Sequence, residues 1–185
     1  MQLITKFAPV DDRGRIWQVE DLLPPDQLQE LLTADWQNLA WSPGGGQESW
    51  LRRQVNWNDP HAQKLGRYIT VQLPIINSAL RTDFKQCSGH FWIDQPGFTV
   101  GLHTDGHVPN AMQLYWTVSG PEYGTGFYRY KNKNSLLYQF KSISNTGYIM
   151  LNQLDQDGSQ PLLWHAMLNP VPEGTIRVSS YWQFN

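Results

Sequence analysis

Two side chains that could bind a metal ion stand two positions apart in the sequence. His103 and Asp105 flank Thr104 in the segment GLHTDG. In an extended segment, residues two apart point to the same side, so one imidazole and one carboxylate can meet at one point. The pattern alone has little weight, because the 5 histidines and 16 acidic residues of the 185 would give about 0.4 such pairs by chance. Its meaning depends on residues further along the chain.

A third candidate ligand, His165, lies much later in the apolar segment PLLWHAM. Burying an imidazole there costs free energy unless a partner satisfies it, and a metal ion would be such a partner. Two imidazoles and one carboxylate leave adjacent positions open on an octahedral ferrous ion, which is room for a bidentate 2-oxoacid and for dioxygen. A structural zinc site would usually use four protein ligands including cysteines, and the chain has only Cys87. The pattern therefore favours oxygenase chemistry.

An arginine and a serine, Arg177 and Ser179, follow in the segment TIRVSS. They are two apart and so share one face of a strand, although Ser180 could face inward in place of Ser179. A guanidinium group binds a carboxylate through two parallel hydrogen bonds. Arginine is therefore better suited than lysine to bind the distal carboxylate of a dicarboxylic acid. We predict that Arg177 and Ser179 hold such a co-substrate.

Two helices are predicted before these segments. The first covers about residues 26–39, where leucines recur on one helical face. The second begins after Asp59 and Pro60, a good N-cap followed by proline at the first helical position, and runs to about Leu80 with a bend possible at Pro74. The residues between them, 42–58, are predicted to form a loop or a short strand pair.

From Cys87 onward, short apolar or alternating segments are separated by Gly, Pro and Asn. The candidate strands are HFWID, FTVGLH, MQLYWTV, GFYRY, LLYQFK, GYIMLN, LLWHAM and TIRVSSYWQF. Such a series predicts a mainly β fold, a jelly roll or similar sandwich, with the two helices packed against one sheet. We expect a single domain over 1–185, in which 1–85 form helical support and loop and 86–185 form the β core.

The composition excludes several classes of protein. Hydrophobic residues make up 40% and charged residues 16%, which excludes a disordered chain. The formal charge of −2 provides no broad basic surface, so nucleic acid is not expected as a partner. A single cysteine cannot form an internal disulfide, which favours a reducing cytoplasm. Neither a signal peptide nor a membrane span is expected, and the oligomeric state is left open.

The sequence resembles the 2-oxoglutarate- and iron(II)-dependent oxygenases, particularly their compact prolyl-hydroxylase-like branch. The matching segments, which cover about residues 87–184, are Pro96-Gly97, the HTD triplet, QLYWT, GTGFY, Gly147 with YIML, WHA and PVPEGTIRVS. The resemblance implies a double-stranded β-helix with iron(II) at one open end. It also implies oxidation by dioxygen, with 2-oxoglutarate decarboxylated to succinate and carbon dioxide. The substrate would be an amino-acid residue of a peptide or protein, prolyl included, or a small molecule.

The sequence departs from that branch at two places. Where the branch often has tyrosine, three residues before Gly97, this chain has Asp94. Tyr115, with Gln113 beside it on the same face, is a candidate to supply the co-substrate with a hydroxyl in its place. The spacing from His165 to Arg177 is about two residues longer than in many members, and a longer turn through 170–174 could absorb it.

Other interpretations remain open at this point. The 9 tryptophans are also typical of an aromatic-rich β-sandwich that binds ligands such as carbohydrates without catalysis. The fold could also have lost turnover or use its metal without 2-oxoglutarate. Arg52 and Arg53 are interpreted as a solvated basic patch rather than as residues that gate the site, and His107 as a solvated histidine or a substrate contact. Segments 42–58 and 105–111 are predicted to rim the open end.

Overall fold

The computed structural model describes residues 5–36, 38–39, 41–43, 51–55, 58–105, 110–117, 120–151 and 163–185. The helices are α1 (Pro25–Leu32) and α2 (Pro60–Leu80), with a short 3-10 turn at Lys133–Ser135. The strands are β1 (Lys6–Pro9), β2 (Ile16–Glu20), β3 (Trp41–Pro43), β4 (Arg52–Val55), β5 (Cys87–Asp94), β6 (Asn110–Tyr115), β7 (Gly120–Tyr128), β8 (Leu136–Ser142), β9 (Thr146–Leu151), β10 (Trp164–Met167) and β11 (Arg177–Phe184).

The strands form two antiparallel sheets. The major sheet has the order β1-β2-β9-β6-β11-β5-β4-β3, and the minor sheet has the order β10-β7-β8. The predicted mainly β, jelly-roll fold is confirmed. Its central strands are long and alternate between two buried faces, so each strand presents one set of side chains to the helices and the other set to the minor sheet.

The apolar face of the major sheet packs against the helices. Trp182 of β11, Phe91 of β5 and Leu114 of β6 lie there in one buried cluster with Leu65 and Ile69 of α2. A second cluster fills the space between the sheets, with Tyr115, Phe127, Phe140 and Tyr148 among its members. The helices therefore stiffen the major sheet from outside, and its other face is left to build a site.

Helix α1 is shorter than predicted. It ends at Leu32 rather than near residue 39, because the buried Trp36 turns back and its indole Nε1 donates a hydrogen bond to the Leu31 carbonyl, 2.9 Å away. The side chain thus satisfies a carbonyl that a longer helix would have bonded internally.

Helix α2 matches its predicted bounds. The Asp59 side chain accepts hydrogen bonds from the backbone N–H groups of His61 and Ala62, at 2.8 and 3.2 Å, as expected of an N-cap. Pro74 lies inside the helix, and Arg81 ends it with a left-handed backbone at φ 58°.

Seven of the eight predicted strands are confirmed, but FTVGLH does not form one. Between 98 and 103 only His103 makes a bridge, to His165, while the Met167 N–H donates to the Val100 carbonyl at 3.1 Å. Positions 100 and 103 are three apart, whereas their partners 167 and 165 are two apart. This unequal spacing interrupts the ladder. Strands β1 and β2 were not predicted, whereas β3 and β4 are the strand pair expected as one alternative for 42–58.

The longer connection between His165 and Arg177 forms a turn with Gly174 at φ 73°. Val171 in it exchanges backbone hydrogen bonds with residues 97 and 98, at 2.7 and 2.9 Å. The extra residues are thus absorbed as predicted. Parts of the two predicted rim segments, with His107, lie outside the described residues. In the described parts of the chain, no helix is long and apolar enough to cross a membrane.

Candidate active site

The three predicted metal ligands meet at one point. The backbones of His103 and His165 exchange two hydrogen bonds, of 3.0 and 2.9 Å, which place the two imidazoles side by side. Asp105 Oδ1 lies 3.4 Å from Nε2 of His103 and 3.5 Å from Nε2 of His165. One potential ligand atom from each residue falls within 4.8 Å of the others. This spacing is suitable for coordination of one metal ion.

Both imidazoles are oriented by a hydrogen bond from Nδ1 to a backbone carbonyl. Nδ1 of His103 donates to the Gly101 carbonyl at 2.7 Å, and Nδ1 of His165 donates to the Leu163 carbonyl at 2.9 Å. With the proton on Nδ1, the lone pair of Nε2 is available in each ring, as in metal-bound histidines with a backbone acceptor. Phe127 stacks on the His165 ring at a centroid distance of 5.5 Å. The rings are thus oriented before any metal binds.

Asp105 is held as a carboxylate. Its burial would raise its pKa, but the interactions of its oxygen with the imidazoles of His103 and His165 outweigh burial and hold the pKa well below the ordinary value. Tyr181 donates its hydroxyl to Oδ2 at 3.2 Å, and burial followed by the nearby Asp105 charge raises the pKa of this phenol. Tyr181 is therefore a neutral donor that fixes one oxygen and leaves Oδ1 directed at the imidazoles.

A cavity of about 360 Å³ joins this cluster to the inner face of the major sheet. Besides the three predicted metal ligands, the residues that line it include Arg52, His90, Trp92, Gln113, Thr125 and Arg177. His90 and Trp92 of β5 are two apart, because alternate side chains of a strand share a face. Of the lining residues other than the metal ligands, only Gln113 and Arg177 were predicted as site residues.

Arg177 lines the cavity, and its partner is Asp94. The two are directly opposite in the β11–β5 ladder, and both Nε and Nη2 of Arg177 donate to Asp94 Oδ2, at 2.9 and 2.5 Å. Nη1 donates to the Tyr123 carbonyl at 3.0 Å. The Arg177 side chain is 2% exposed. A buried ion pair thus engages the arginine that was predicted to bind the distal carboxylate.

Arg52 pairs with the same carboxylate from the other side. It is opposite Asp94 in the β4–β5 ladder, with Nε 2.6 Å from Oδ1 and Nη2 3.1 Å from Oδ2. Its guanidinium lies between the rings of Trp92 and Phe98, at 4.8 and 4.2 Å. The interpretation of Arg52 as a solvated residue is therefore wrong: its side chain is 18% exposed and faces the cavity.

Asp94 is charged despite complete burial. Burial alone would raise its pKa, but the charges of Arg177 and then Arg52, with their hydrogen bonds, hold the pKa below the ordinary value. The three side chains form a row across β4, β5 and β11, which we call the Arg-Asp-Arg row (Arg52, Asp94, Arg177). Two guanidinium groups and one carboxylate leave it one net positive charge.

The structure distinguishes the two serines of β11. Ser180 Oγ accepts hydrogen bonds from the indoles of Trp116 and Trp182, at 3.0 and 2.8 Å, and so faces the helices. Ser179 points to the other face, between Trp92 and Tyr115 in register. Its buried Oγ has no hydrogen-bond partner among the described residues. A buried hydroxyl without a partner is costly, and a ligand oxygen would satisfy it.

Tyr115 and Gln113 lie on the same inner face of β6. The Tyr115 hydroxyl is 2.6 Å from Thr125 Oγ1, and burial raises its pKa to about 12, so it is a neutral hydrogen-bonding group. Gln113 lines the cavity. A role of either residue toward a co-substrate stays a prediction. Thr125, which the sequence did not single out, joins β7 to this group.

Solved structures with the same arrangement of strands are numerous. A prolyl-4-hydroxylase from Pseudomonas putida is 17% identical, with a TM-score of 0.59 and 96% of each chain covered. HygX from Streptomyces hygroscopicus, with nickel and 2-oxoglutarate bound, is 11% identical, with a TM-score of 0.58 over 91% of this chain and 82% of that one. The fold is that of the 2-oxoglutarate oxygenases. The resemblance seen in the sequence is thereby confirmed at the level of the fold.

The reactions of proteins with the 2-oxoglutarate oxygenase fold differ. The epimerase SnoN from nogalamycin biosynthesis has a TM-score of 0.59 at 9% identity, over 91% of this chain and 78% of that one. No family model matches the chain, and no curated protein matches it. At these identities the likeness establishes the fold, and the reaction must be argued from the site.

Proposed function

We propose that this protein is a non-haem iron(II)-dependent dioxygenase that uses 2-oxoglutarate and dioxygen to hydroxylate a C–H bond. The observation that carries the proposal is the cluster of His103, Asp105 and His165 at one side of a cavity that contains Arg177. Two neutral imidazoles and one carboxylate are the donor set of non-haem iron oxygenases, which keeps adjacent coordination positions open.

The residues present fit both groups. The oriented imidazoles and Asp105 would hold iron(II), while the unpartnered hydroxyl of Ser179 and the net positive Arg-Asp-Arg row would receive the distal carboxylate of 2-oxoglutarate. When bound, the metal and co-substrate supply the oxidising chemistry, in which 2-oxoglutarate becomes succinate and carbon dioxide and one oxygen atom enters the substrate.

The contribution of the chain is position and exclusion of water. Backbone acceptors orient the two imidazoles, and Tyr181 orients Asp105 through its hydroxyl. Trp92, Val100 and Met167 give the cavity an apolar wall, which strengthens the electrostatic interactions inside it. No general base is needed for removal of a hydrogen atom from carbon. The site therefore works through preorganised geometry.

For the substrate we propose an amino-acid residue of a peptide, prolyl included, or a small molecule. The likeness to the Pseudomonas putida prolyl-4-hydroxylase supports the first, and the likeness to HygX, solved in another structure with hygromycin B bound, supports the second. A module that only binds carbohydrate would not need this cluster of ligands facing buried arginines. We also propose a cytoplasmic location, since the single cysteine favours a reducing compartment.

The test is succinate formation from 2-oxoglutarate in the presence of iron(II) and oxygen, without added substrate. We expect slow, iron-dependent succinate release that falls by about 100-fold or more in His103→Ala, since loss of one ligand disrupts metal binding. His61→Ala is the matched control, because His61 lies on α2, outside the cavity. Calorimetric titration with nickel checks metal binding directly. Equal activity and nickel affinity in His103→Ala and wild type would contradict the assignment.

A further inference from the structure

We propose that Arg52 is a co-substrate-binding residue: with Arg177 it binds the distal carboxylate of 2-oxoglutarate, while Asp94 positions both guanidinium groups. The inference rests on the proposed function and adds a residue to it. It concerns the place where this chain departs from the prolyl-hydroxylase-like pattern, with Asp94 at a position that often holds tyrosine.

Asp94 already uses part of the hydrogen-bonding capacity of Arg177. An arginine has five N–H donors, and Arg177 uses three of them on Asp94 Oδ2 and the Tyr123 carbonyl. Its Nε and Nη2, the edge that could grip a carboxylate with two parallel bonds, both point to Asp94. Arg177 therefore has only part of its hydrogen-bonding capacity left for a ligand.

The net charge of the row depends on Arg52. Arg177 and Asp94 together are neutral, so a buried pocket built from these two alone would attract an anion weakly. Arg52 adds one positive charge, so that the Arg-Asp-Arg row as a whole carries one net positive charge. A ferrous ion bound to Asp105 and two neutral imidazoles would carry one net positive charge at the other end. A dianion such as 2-oxoglutarate matches one positive charge at each end of the cavity.

The Arg52 side chain is both accessible and fixed. Its side chain is 18% exposed, against 2% for Arg177, and it lines the same cavity as the metal ligands. Two donors are used on Asp94, and the rings of Trp92 and Phe98 hold its guanidinium. The remaining donors are thus preorganised, which reduces the entropy lost when a ligand binds.

The test compares two 2-oxoacids on nickel-loaded protein by isothermal titration calorimetry. 2-Oxoglutarate has a distal carboxylate and 2-oxobutanoate has none, while both offer the same group to the metal. In Arg52→Gln we expect 2-oxoglutarate to bind about 10-fold or more weakly, as for loss of a hydrogen bond to a charged group. The affinity for 2-oxobutanoate should change by less than about 2-fold. The matched control is Arg53→Gln, which removes the same charge one residue further along β4, on the opposite face.

A second variant tests Asp94. Asp94→Asn keeps the size of the side chain and one carbonyl acceptor but removes the negative charge beside both arginines. We expect tighter binding of 2-oxoglutarate, by about 3-fold or more, because the internal competitor for the guanidinium groups is weakened. Binding of 2-oxobutanoate should again be unchanged. If this variant does not fold, as a thermal melt would reveal, the two acids on Arg52→Gln decide the question.

The outcomes separate the two proposals. Wild-type protein that binds nickel but not 2-oxoglutarate would overturn the proposed function, and this inference with it. Wild-type binding that Arg52→Gln leaves unchanged for both acids would overturn only the inference, and Arg52 would then be structural. An equal loss for both acids would also overturn it, because Arg52 would then act through the shape of the cavity rather than on the distal carboxylate.

Discussion

His90 is an imidazole that the wall of the cavity keeps neutral. It lies on the inner face of β5, with its ring at right angles to Trp92 at a centroid distance of 4.3 Å. Burial, and then the charge of Arg52, lower its pKa from 6.5 to about 4. The charge of Arg52 thus reaches beyond Asp94 into the cavity. Protonation of His90 would place a second positive charge beside Arg52.

This shift predicts a dependence of stability on pH. Because the folded pKa is below the unfolded one, the unfolded chain binds the extra proton between pH 6.5 and 4. The contribution of His90 is therefore complete above pH 6.5 and is lost as the pH falls toward 4, at up to about 1.4 kcal/mol per pH unit. Urea unfolding of metal-free protein at several pH values should give a shallower loss for His90→Gln than for wild type. Parallel curves would contradict the prediction.

The cluster of His103, Asp105 and His165 was predictable from residue types, whereas the Arg-Asp-Arg row was not. His103 and Asp105 share a face through their spacing, and His165 and Arg177 stand out as polar residues in apolar strands. Arg52 and Asp94 are 42 residues apart, and Asp94 and Arg177 are 83 apart. Only the pairing of β4 and β11 with β5, in one register, brings them together. No local pattern encodes that register, so Arg52 was misinterpreted.

Among the elements, β6 and β9 meet unusually closely at Gly147. Gly147 lies opposite Leu114 in their ladder, and a Cβ atom there would be 1.9 Å from the Gln113 carbonyl oxygen. The contact is with backbone, which cannot rotate away as a side chain could. A residue other than glycine would therefore force β6 and β9 apart, where Gln113 lines the cavity.

We expect Gly147→Ala to lower the free energy of unfolding by about 2 kcal/mol or more, as for an overpacked core position. Gly101→Ala is the control, because a Cβ atom at Gly101 has no described atom within 4 Å and should change stability by less than about 1 kcal/mol. Denaturant unfolding of both variants measures the difference. Equal effects would show that the strands can separate at Gly147 without cost.

Elements were predictable where one periodicity dominates. The strands from β5 to β11 are short apolar or alternating segments, and α2 has an N-cap, an apolar stripe and Pro60 at its start. Strand β1, KFAP, is short and mostly exposed, so it has no such pattern. Helix α1 was predicted too long because its leucine stripe continues past Leu32, whereas the fold uses Trp36 to end it. Tertiary contacts override the local signal at these places.

In the whole molecule, the two ends of the cavity belong to different sheets. His165 lies on β10 of the minor sheet, and His103 is bridged to it, whereas Arg177 and Ser179 lie on β11 of the major sheet. A ligand that contacts the metal at one end and the arginines at the other would link the two sheets. The proposed site is thus also a place where binding and folding are coupled.

This coupling predicts that metal and co-substrate stabilise the fold together. With nickel bound and 2-oxoglutarate at about 100 times its dissociation constant, the folded state gains about 2.7 kcal/mol, which corresponds to roughly 5–10 °C in the melting temperature of a chain of this size. In His165→Ala, 2-oxoglutarate should give little shift, because the metal that anchors its 2-oxoacid end is lost. Thermal melts with nickel, with 2-oxoglutarate and with both measure the effect. A full shift with 2-oxoglutarate alone would mean that the arginines bind it without the metal, and the two sheets would then not be linked through the site.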